Sequence, residues 1–301
     1  MGGEDIQVSV EDAGRSANKA GNRKINLALL TVSLGATAFT FASFWTATAR
    51  VWFHEEAYSY GILVPIVSAY LLWRRRWELI ALPRVPWTFG VAWVALGCVL
   101  RVLGERGDIL CVSGMGFILV LIGAVAFLGG KAHARIVAMP LVFLIFMVPL
   151  PSYALAMFSW QLQTGATTFS ADLLRRLGIL VFQDGNYLVL PGYTLAVKEA
   201  CSGTRYVFAL LALAGVLGFS ARCHWMLRLV LLFLAPVIAL LLNVLRIVGT
   251  GFAASLWGAQ AARGLLHATW AIVLFLLGTA LLLGARNLLQ WLASRSASPS
   301  Y

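Results

Sequence analysis

Residues 229–248 have the sequence LVLLFLAPVIALLLNVLRIV, an apolar run whose strongly polar members are Asn243 and Arg246. A helix that crosses the hydrocarbon core of a bilayer needs roughly 20 mostly apolar residues, and this run has that length. The stretch therefore predicts a transmembrane helix and indicates that the chain is a membrane protein.

The composition of the whole chain supports this class. Of 301 residues, 60% are hydrophobic and 12% are charged, whereas about a quarter are charged in an average soluble domain. The net charge of +11 permits nucleic-acid binding, but the basic residues are spread over short loops between apolar runs. That spread is typical of topology determinants, so we predict no nucleic-acid partner. The four cysteines (98, 111, 201 and 223) lack metal-site spacing, and we predict no metal or cofactor.

Apolar runs recur along the chain and predict an all-α polytopic membrane protein with about eight transmembrane helices. The predicted spans are 25–46, 57–73, 86–103, 109–128, 136–150, 202–219, 229–248 and 267–283. We divide the chain into a disordered cytoplasmic tail (1–24), a single transmembrane catalytic domain (25–285) and a cytoplasmic C-terminal tail (286–301).

The distribution of Lys and Arg predicts the orientation in the membrane. With the N-terminus inside, 14 of the 23 basic residues fall in tails and loops on the cytoplasmic side. Cytoplasmic loops of membrane proteins carry an excess of Lys and Arg. We therefore expect both termini to be cytoplasmic, in the inner membrane of the cell.

The segment 151–200 does not fit a simple crossing and is expected to be external. Its first half, 153–178, is helix-like but interrupted by polar residues, which favours an amphipathic helix on the outer surface. Its second half, 179–197, alternates and has turn signals at Asp184-Gly185-Asn186 and Pro191-Gly192. This half predicts a small β-hairpin or three short strands that cap the bundle.

Directly after this cap comes the sequence EACSGTR, residues 199–205, at the start of the sixth predicted span. A thiol at a helix N-terminus is favoured as thiolate by the helix dipole, and Arg205 lies one turn beyond Cys201. Such a site suits a nucleophile. The alternative is that Cys201 packs as a small hydrophobic side chain.

Three polar residues on later spans strengthen the nucleophile interpretation. Asn243 and Arg246 share a helix face near the outer end of the seventh span, and His267 begins the eighth at the same side. An arginine within a span is a candidate functional residue. Snorkelling of Arg246 and interfacial capping by His267 are the alternatives.

Taken together, Cys201, Arg246 and His267 come from three separate spans, and the predicted topology places them at one membrane depth on the outer side. Cysteine with histidine is an activated nucleophile with its general base. An arginine can stabilise the developing oxyanion or bind a substrate carboxylate. The implied reaction is acyl transfer through a thioester.

These residues, with other motifs, make the chain resemble the exosortase/archaeosortase family of membrane cysteine transpeptidases. The motifs are, in order, YSYGILVP (58–65), WRRR (73–76), PLVFL (140–144), VPLP (148–151), LG (177–178), DGN (184–186), EACSG (199–203), NVLRI (243–247) and LH (266–267). Two departures stand out: Tyr60 replaces a usual histidine, and Ala268 follows His267 where an acidic residue is common.

The resemblance implies that Cys201 is the nucleophile, His267 the base and Arg246 the cation that orients the substrate or stabilises the transition state. Supporting or substrate-binding residues are expected at Glu199, Ser202, Gly203, Arg205 and Asn243. It further implies secreted substrates with a C-terminal sorting signal: a short motif, often Pro-Glu-Pro, then one transmembrane helix and a basic tail. Cleavage is expected at the outer face of the cytoplasmic membrane; the acceptor is not identified.

Other functions remain as alternatives. A transporter would carry charged residues at mid-bilayer depth and an internal repeat. A non-catalytic membrane scaffold would tolerate alkylation of Cys201 without functional loss. An unrelated intramembrane protease would bury its nucleophile and base below the membrane surface, whereas Cys201 lies close to the predicted hairpin.

Overall fold

The computed structural model describes residues 35–191, 193–197, 203–220, 225–258 and 265–296, with the backbone alone at 56, 220, 265–271 and 296. Residues 35–40 are helical and lead through Phe41 into the first named helix. The helices are α1 (Ala42–His54), α2 (Leu63–Arg74), α3 (Arg76–Ala81), α4 (Gly90–Arg106), α5 (Leu110–Gly129), α6 (Lys131–Phe143), α7 (Ser152–Arg176), α8 (Thr204–Ser220), α9 (Trp225–Trp257) and α10 (Leu265–Ser296). Two 3₁₀ segments, Glu56–Ile62 and Leu144–Met147, precede α2 and follow α6.

The predicted helical membrane class is confirmed, but the count of eight spans is not. Within the described residues, three helical stretches are long and apolar enough to cross a bilayer: Leu110–Gly129, Trp225–Trp257 and Ile272–Arg295. The pair Lys131–Met147 and Ser152–Arg176 is bent by 77° and would make a fourth if it is one broken span. Other predicted spans are helical but short: α2 has 12 residues, or about 18 Å at 1.5 Å per residue.

The helices α4 and α5 pack against each other through glycines, and within each helix these glycines lie seven residues apart. A Cβ atom on Gly97 would lie 2.6 Å from the carbonyl oxygen of Gly116, and one on Gly123 would lie 2.8 Å from that of Gly90. Residues seven apart lie on nearly the same face of a helix, since seven residues make almost two turns. The absent side chains let the two backbones touch, as in other tightly packed membrane helices.

The helices α8, α9 and α10 form a second packed unit. Its buried core includes Leu210 of α8, Leu242 of α9 and Leu274 of α10. A Cβ on Gly278 of α10 would meet both Leu242 and Leu210, at 2.8 and 3.1 Å. The three helices therefore share one core, and α8 and α9 run antiparallel, so the start of α8 lies beside the later half of α9.

The predicted small β structure is confirmed as a three-stranded antiparallel sheet. Its strands are β1 (Phe182–Asp184), β2 (Tyr187–Leu190) and β3 (Tyr193–Ala196), in the order β1-β2-β3. Asp184 pairs with Tyr187 across a two-residue loop, and Gly185 in that loop has φ +55°. A positive φ is easy for glycine and is what tight hairpin turns require, so the Asp-Gly-Asn signal predicted the turn correctly.

The helix α7 is present as predicted, but its side chains are distributed differently from a water-facing amphipathic helix. Ser159, Gln163 and Thr167 are buried, while Tyr153 and Phe169 are exposed at 75% and 71%. The polar stripe is turned toward the protein, where Gln163 donates to Val197, the residue after β3, and Ser159 accepts from Thr204 of α8. Large apolar side chains face outward. An apolar outer face of this kind suits contact with lipid.

Candidate active site

The residue before α8, Gly203, is in direct contact with Asn243 of α9. Gly203 has φ +83°, and a Cβ there would lie 2.9 Å from Cγ of Asn243. A larger residue is therefore disfavoured twice, by the backbone conformation and by the space. Asn243 is fully buried at this contact. Gly203 and Asn243, two of the predicted site residues, are thus in contact, and Gly203 comes two positions after Cys201 in the chain.

One helical turn beyond Asn243 lies Arg246, whose side chain is packed on the first turn of α8. Its Nη1 donates a hydrogen bond to Oη of Tyr206 at 3.4 Å, and its guanidinium carbon lies 5.8 Å from the centre of that ring. Both residues are buried. A cation close to an aromatic face gains electrostatic stabilisation, more so when it is removed from water. Tyr206 is therefore one of the residues that hold this arginine in place.

The helix α7 holds the chain on both sides of residues 198–202. On the upstream side, Nε2 of Gln163 donates a hydrogen bond to the carbonyl oxygen of Val197. On the downstream side, Oγ1 of Thr204 donates to Oγ of Ser159 at 3.3 Å. Ser159 and Gln163 are four residues apart, so they lie on one face of α7. One face of α7 thus positions the residues on either side of the segment that contains the candidate nucleophile.

An apolar cluster joins the sheet to this end of the bundle. Its buried members are Ala166, Ala171 and Leu174 of α7, Leu188 and Leu190 of β2, Val197, and Ile247 and Val248 of α9. A Cβ on Gly251 of α9 would lie 3.0 Å from Cδ1 of Leu174. The sheet and α7 therefore cover the later half of α9, next to Arg246.

The remaining predicted site residues are placed only in part. Arg205 has an exposed side chain in the first turn of α8. His267 lies in the first turn of α10, and its side chain is among those not described. Glu199, Cys201 and Ser202 lie outside the described residues. The structure thus places Gly203 in contact with Asn243, one helical turn from Arg246. It provides no distance between the cysteine and the histidine.

The tyrosine motif at 58–60 lies close to the same region. Oη of Tyr58 accepts a hydrogen bond from the backbone N–H of Leu150 at 2.9 Å. Its ring stacks on Phe208 of α8, with the centroids 5.6 Å apart. Tyr60, where the sequence comparison above expects a histidine, is half-buried against the apolar cluster that contains Tyr58. The contact with Phe208 joins the 3₁₀ segment before α2 to the first half of α8.

Sequence reasoning missed Tyr206, Ser159 and the structural role of Gln163. A signal for the α7 residues was present: Ser159, Gln163 and Thr167 recur every four residues, which is close to the period of one helix face. Tyr206 had no comparable signal, since an aromatic residue in the first turn of an apolar helix is common in membrane proteins.

The fold is that of a multi-pass helical membrane protein, and comparison with known protein families shows to which family it is related. Residues 52–284 match the family model of the transmembrane exosortase. This match covers well over half of the chain, and the protein belongs to the transmembrane exosortase family. No curated protein and no solved structure matches the chain.

Proposed function

We propose that this exosortase-family protein is a membrane cysteine protease or transpeptidase that cleaves C-terminal sorting signals of exported proteins. The observation that carries the proposal is the family match over residues 52–284, which includes Cys201, Arg246 and His267. We place the reaction at the outer face of the cytoplasmic membrane. The charge asymmetry of the loops supports that side.

The packing around α8 supports the roles that we assign. Helix α7 bonds to Val197 and to Thr204, on either side of the segment that contains Cys201. Catalytic groups need such support, because a small misplacement of a reacting atom is costly in rate. Arg246, which contacts Tyr206 in the first turn of α8, supplies a cation at this end of the bundle.

The proposed reaction has two steps. The Cys201 thiolate attacks the peptide carbonyl carbon, a C–S bond forms, and the carbonyl electron pair moves to oxygen, where Arg246 stabilises the charge. The intermediate collapses, the C–N bond breaks, and the His267 imidazolium gives its proton to the leaving amine. Water or an acceptor amine then attacks the thioester, His267 takes the proton, and the thiolate is released.

The test is co-expression of the full-length protein with a secreted protein that bears a C-terminal sorting signal, scoring loss of the signal by mass. Cys201→Ala and His267→Ala are expected to abolish processing at unchanged membrane levels. Cys201→Ser is expected to be nearly inactive, because a hydroxyl is far harder to ionise than a thiol. Cys98→Ala is the matched control, since Cys98 is an exposed free cysteine on α4. Normal processing by Cys201→Ala would favour a non-catalytic scaffold instead.

A further inference from the structure

A narrow groove lies in the side of the bundle between α6, α8 and α9, away from the candidate active site. Its volume is about 170 Å³, and its lining includes Val142 of α6, Ile145 of the following 3₁₀ segment, and Gly215 and Gly218 of α8. Val142 and Ile145 on its rim are 45% and 48% exposed. The groove is therefore open toward the membrane, and its lining is apolar except for one residue.

That residue is Arg228, in the first turns of α9. Its Nε is buried and has no hydrogen-bond partner among the residues that the structure describes. A buried guanidinium nitrogen without a partner is costly, so an acceptor from outside the chain would be favourable there. A cation at the end of an apolar groove is complementary to a molecule with a hydrocarbon chain and an anionic head.

The part of the sequence that contains this arginine has no acidic residue. All 12 acidic residues lie at or before Glu199, whereas the chain from Cys201 to Tyr301 contains seven arginines and no Asp or Glu. The two ion pairs found within the described residues are Arg101–Glu105 and Arg175–Asp172, and neither involves the region of Arg228. Neither of these ion pairs neutralises the charge of Arg228.

We infer that this groove binds an anionic phospholipid of the inner leaflet, with part of one acyl chain in the groove and the phosphate on Arg228. The leaflet follows from the predicted topology, in which the 221–224 connection is cytoplasmic. Basic pockets between membrane helices on that side bind anionic lipid head groups. A transmembrane helix of a partner protein is the poorer occupant, because a helix is about 10 Å wide and the groove is too small to seat one.

The experiment uses the full-length protein in a neutral detergent, titrated with dioleoyl phosphatidylglycerol or with dioleoyl phosphatidylcholine. Thermal stability and native mass spectrometry report binding. We expect phosphatidylglycerol to bind in preference and to raise the unfolding temperature. Arg228→Gln should weaken its binding about fivefold, the usual effect of one basic residue near a lipid surface. Val142→Phe, which fills the groove from its exposed rim, should weaken binding with the charge retained.

Arg295→Gln is the matched control, because it removes the same charge from an exposed position on α10 at the same predicted side. Equal losses of phosphatidylglycerol binding in Arg295→Gln and Arg228→Gln would mean that surface charge in general attracts the lipid, and this result would overturn the proposed site. So would unchanged binding by Arg228→Gln, or a full stabilising effect from inorganic phosphate alone. If Arg228→Gln does not fold, Arg228→Lys with Val142→Phe tests the same groove. A photo-crosslinker at position 145 that captures the signal-bearing protein in place of lipid would also overturn the assignment.

Discussion

Arg246 is a charged side chain that is only 5% exposed in an otherwise apolar helix. Such a residue is expensive in a membrane and persists where it has a function. We expect Arg246→Lys to reduce processing of a signal-bearing substrate by about tenfold or more, because lysine keeps the charge but not the planar donor fork. Processing at matched protein levels is the measurement. Full activity of Arg246→Lys would leave Arg246 with a structural role alone.

The contact with Tyr206 makes a separate prediction. Tyr206→Phe keeps the ring under the guanidinium and removes the hydroxyl that accepts the long hydrogen bond from Arg246, so we expect a loss of about twofold in processing. Tyr206→Leu removes the ring as well and should cost about tenfold. If Tyr206 acts through Arg246, each change should have less effect when Arg246 is already lysine. Tyr153→Phe, on an exposed tyrosine of α7, is the control and should change nothing.

The helix α7 bonds to the chain on either side of residues 198–202, and its two glutamines allow a matched test. Gln163→Met leaves the buried carbonyl of Val197 without its donor, at a cost of about 1–3 kcal/mol. We expect reduced processing and a lower unfolding temperature. Gln161→Met changes an exposed side chain two residues earlier in the same helix and should be neutral. Equal effects of the two variants would contradict the role of the Gln163 contact.

The glycine contact between α4 and α5 is expected to limit substitution. Gly97→Ala places a methyl group 2.6 Å from a backbone oxygen of Gly116 and 2.7 Å from Val120. Overpacking of this kind costs about 1–3 kcal/mol, more than the roughly 1 kcal/mol that alanine gains in helix propensity. Gly165→Ala is the control, because nothing lies within 4 Å of its Cβ. Thermal unfolding is the measurement: we expect a lower unfolding temperature for Gly97→Ala and an unchanged or higher one for Gly165→Ala.

The sequence predicted elements better than it predicted how they face one another. The apolar runs and the Asp184-Gly185-Asn186 turn depend on local periodicity and backbone preference, so the helices and the sheet were predicted. The inward orientation of Ser159 and Gln163 was not predicted, because a polar stripe on a helix is equally compatible with water and with buried hydrogen bonds. The contact between Gly203 and Asn243 joins residues 40 apart in the chain, and only the predicted topology pointed to their proximity.

For the molecule as a whole, the orientation in the membrane is the decisive prediction. Alkaline phosphatase, which is active only after export, is expected to be active when fused after Asp184 and inactive when fused after Gly130. The reason is the excess of Lys and Arg in the loops predicted to be cytoplasmic. Matched expression of the two fusions is the control. The opposite pattern would invert the topology and move the sheet, with Arg246 beside it, to the cytoplasmic side.

The length of α9 links the candidate site to the thickness of the bilayer. The helix has 33 residues, and the 21-residue step from Trp225 to Arg246 corresponds to about 32 Å along its axis. The hydrocarbon core of a typical bilayer is about 30 Å thick. With Trp225 anchored among the inner head groups, hydrophobic matching brings the guanidinium to the opposite boundary. In a thicker bilayer the same buried cation would lie below the outer boundary, so bilayer thickness would set the depth at which the proposed reaction takes place.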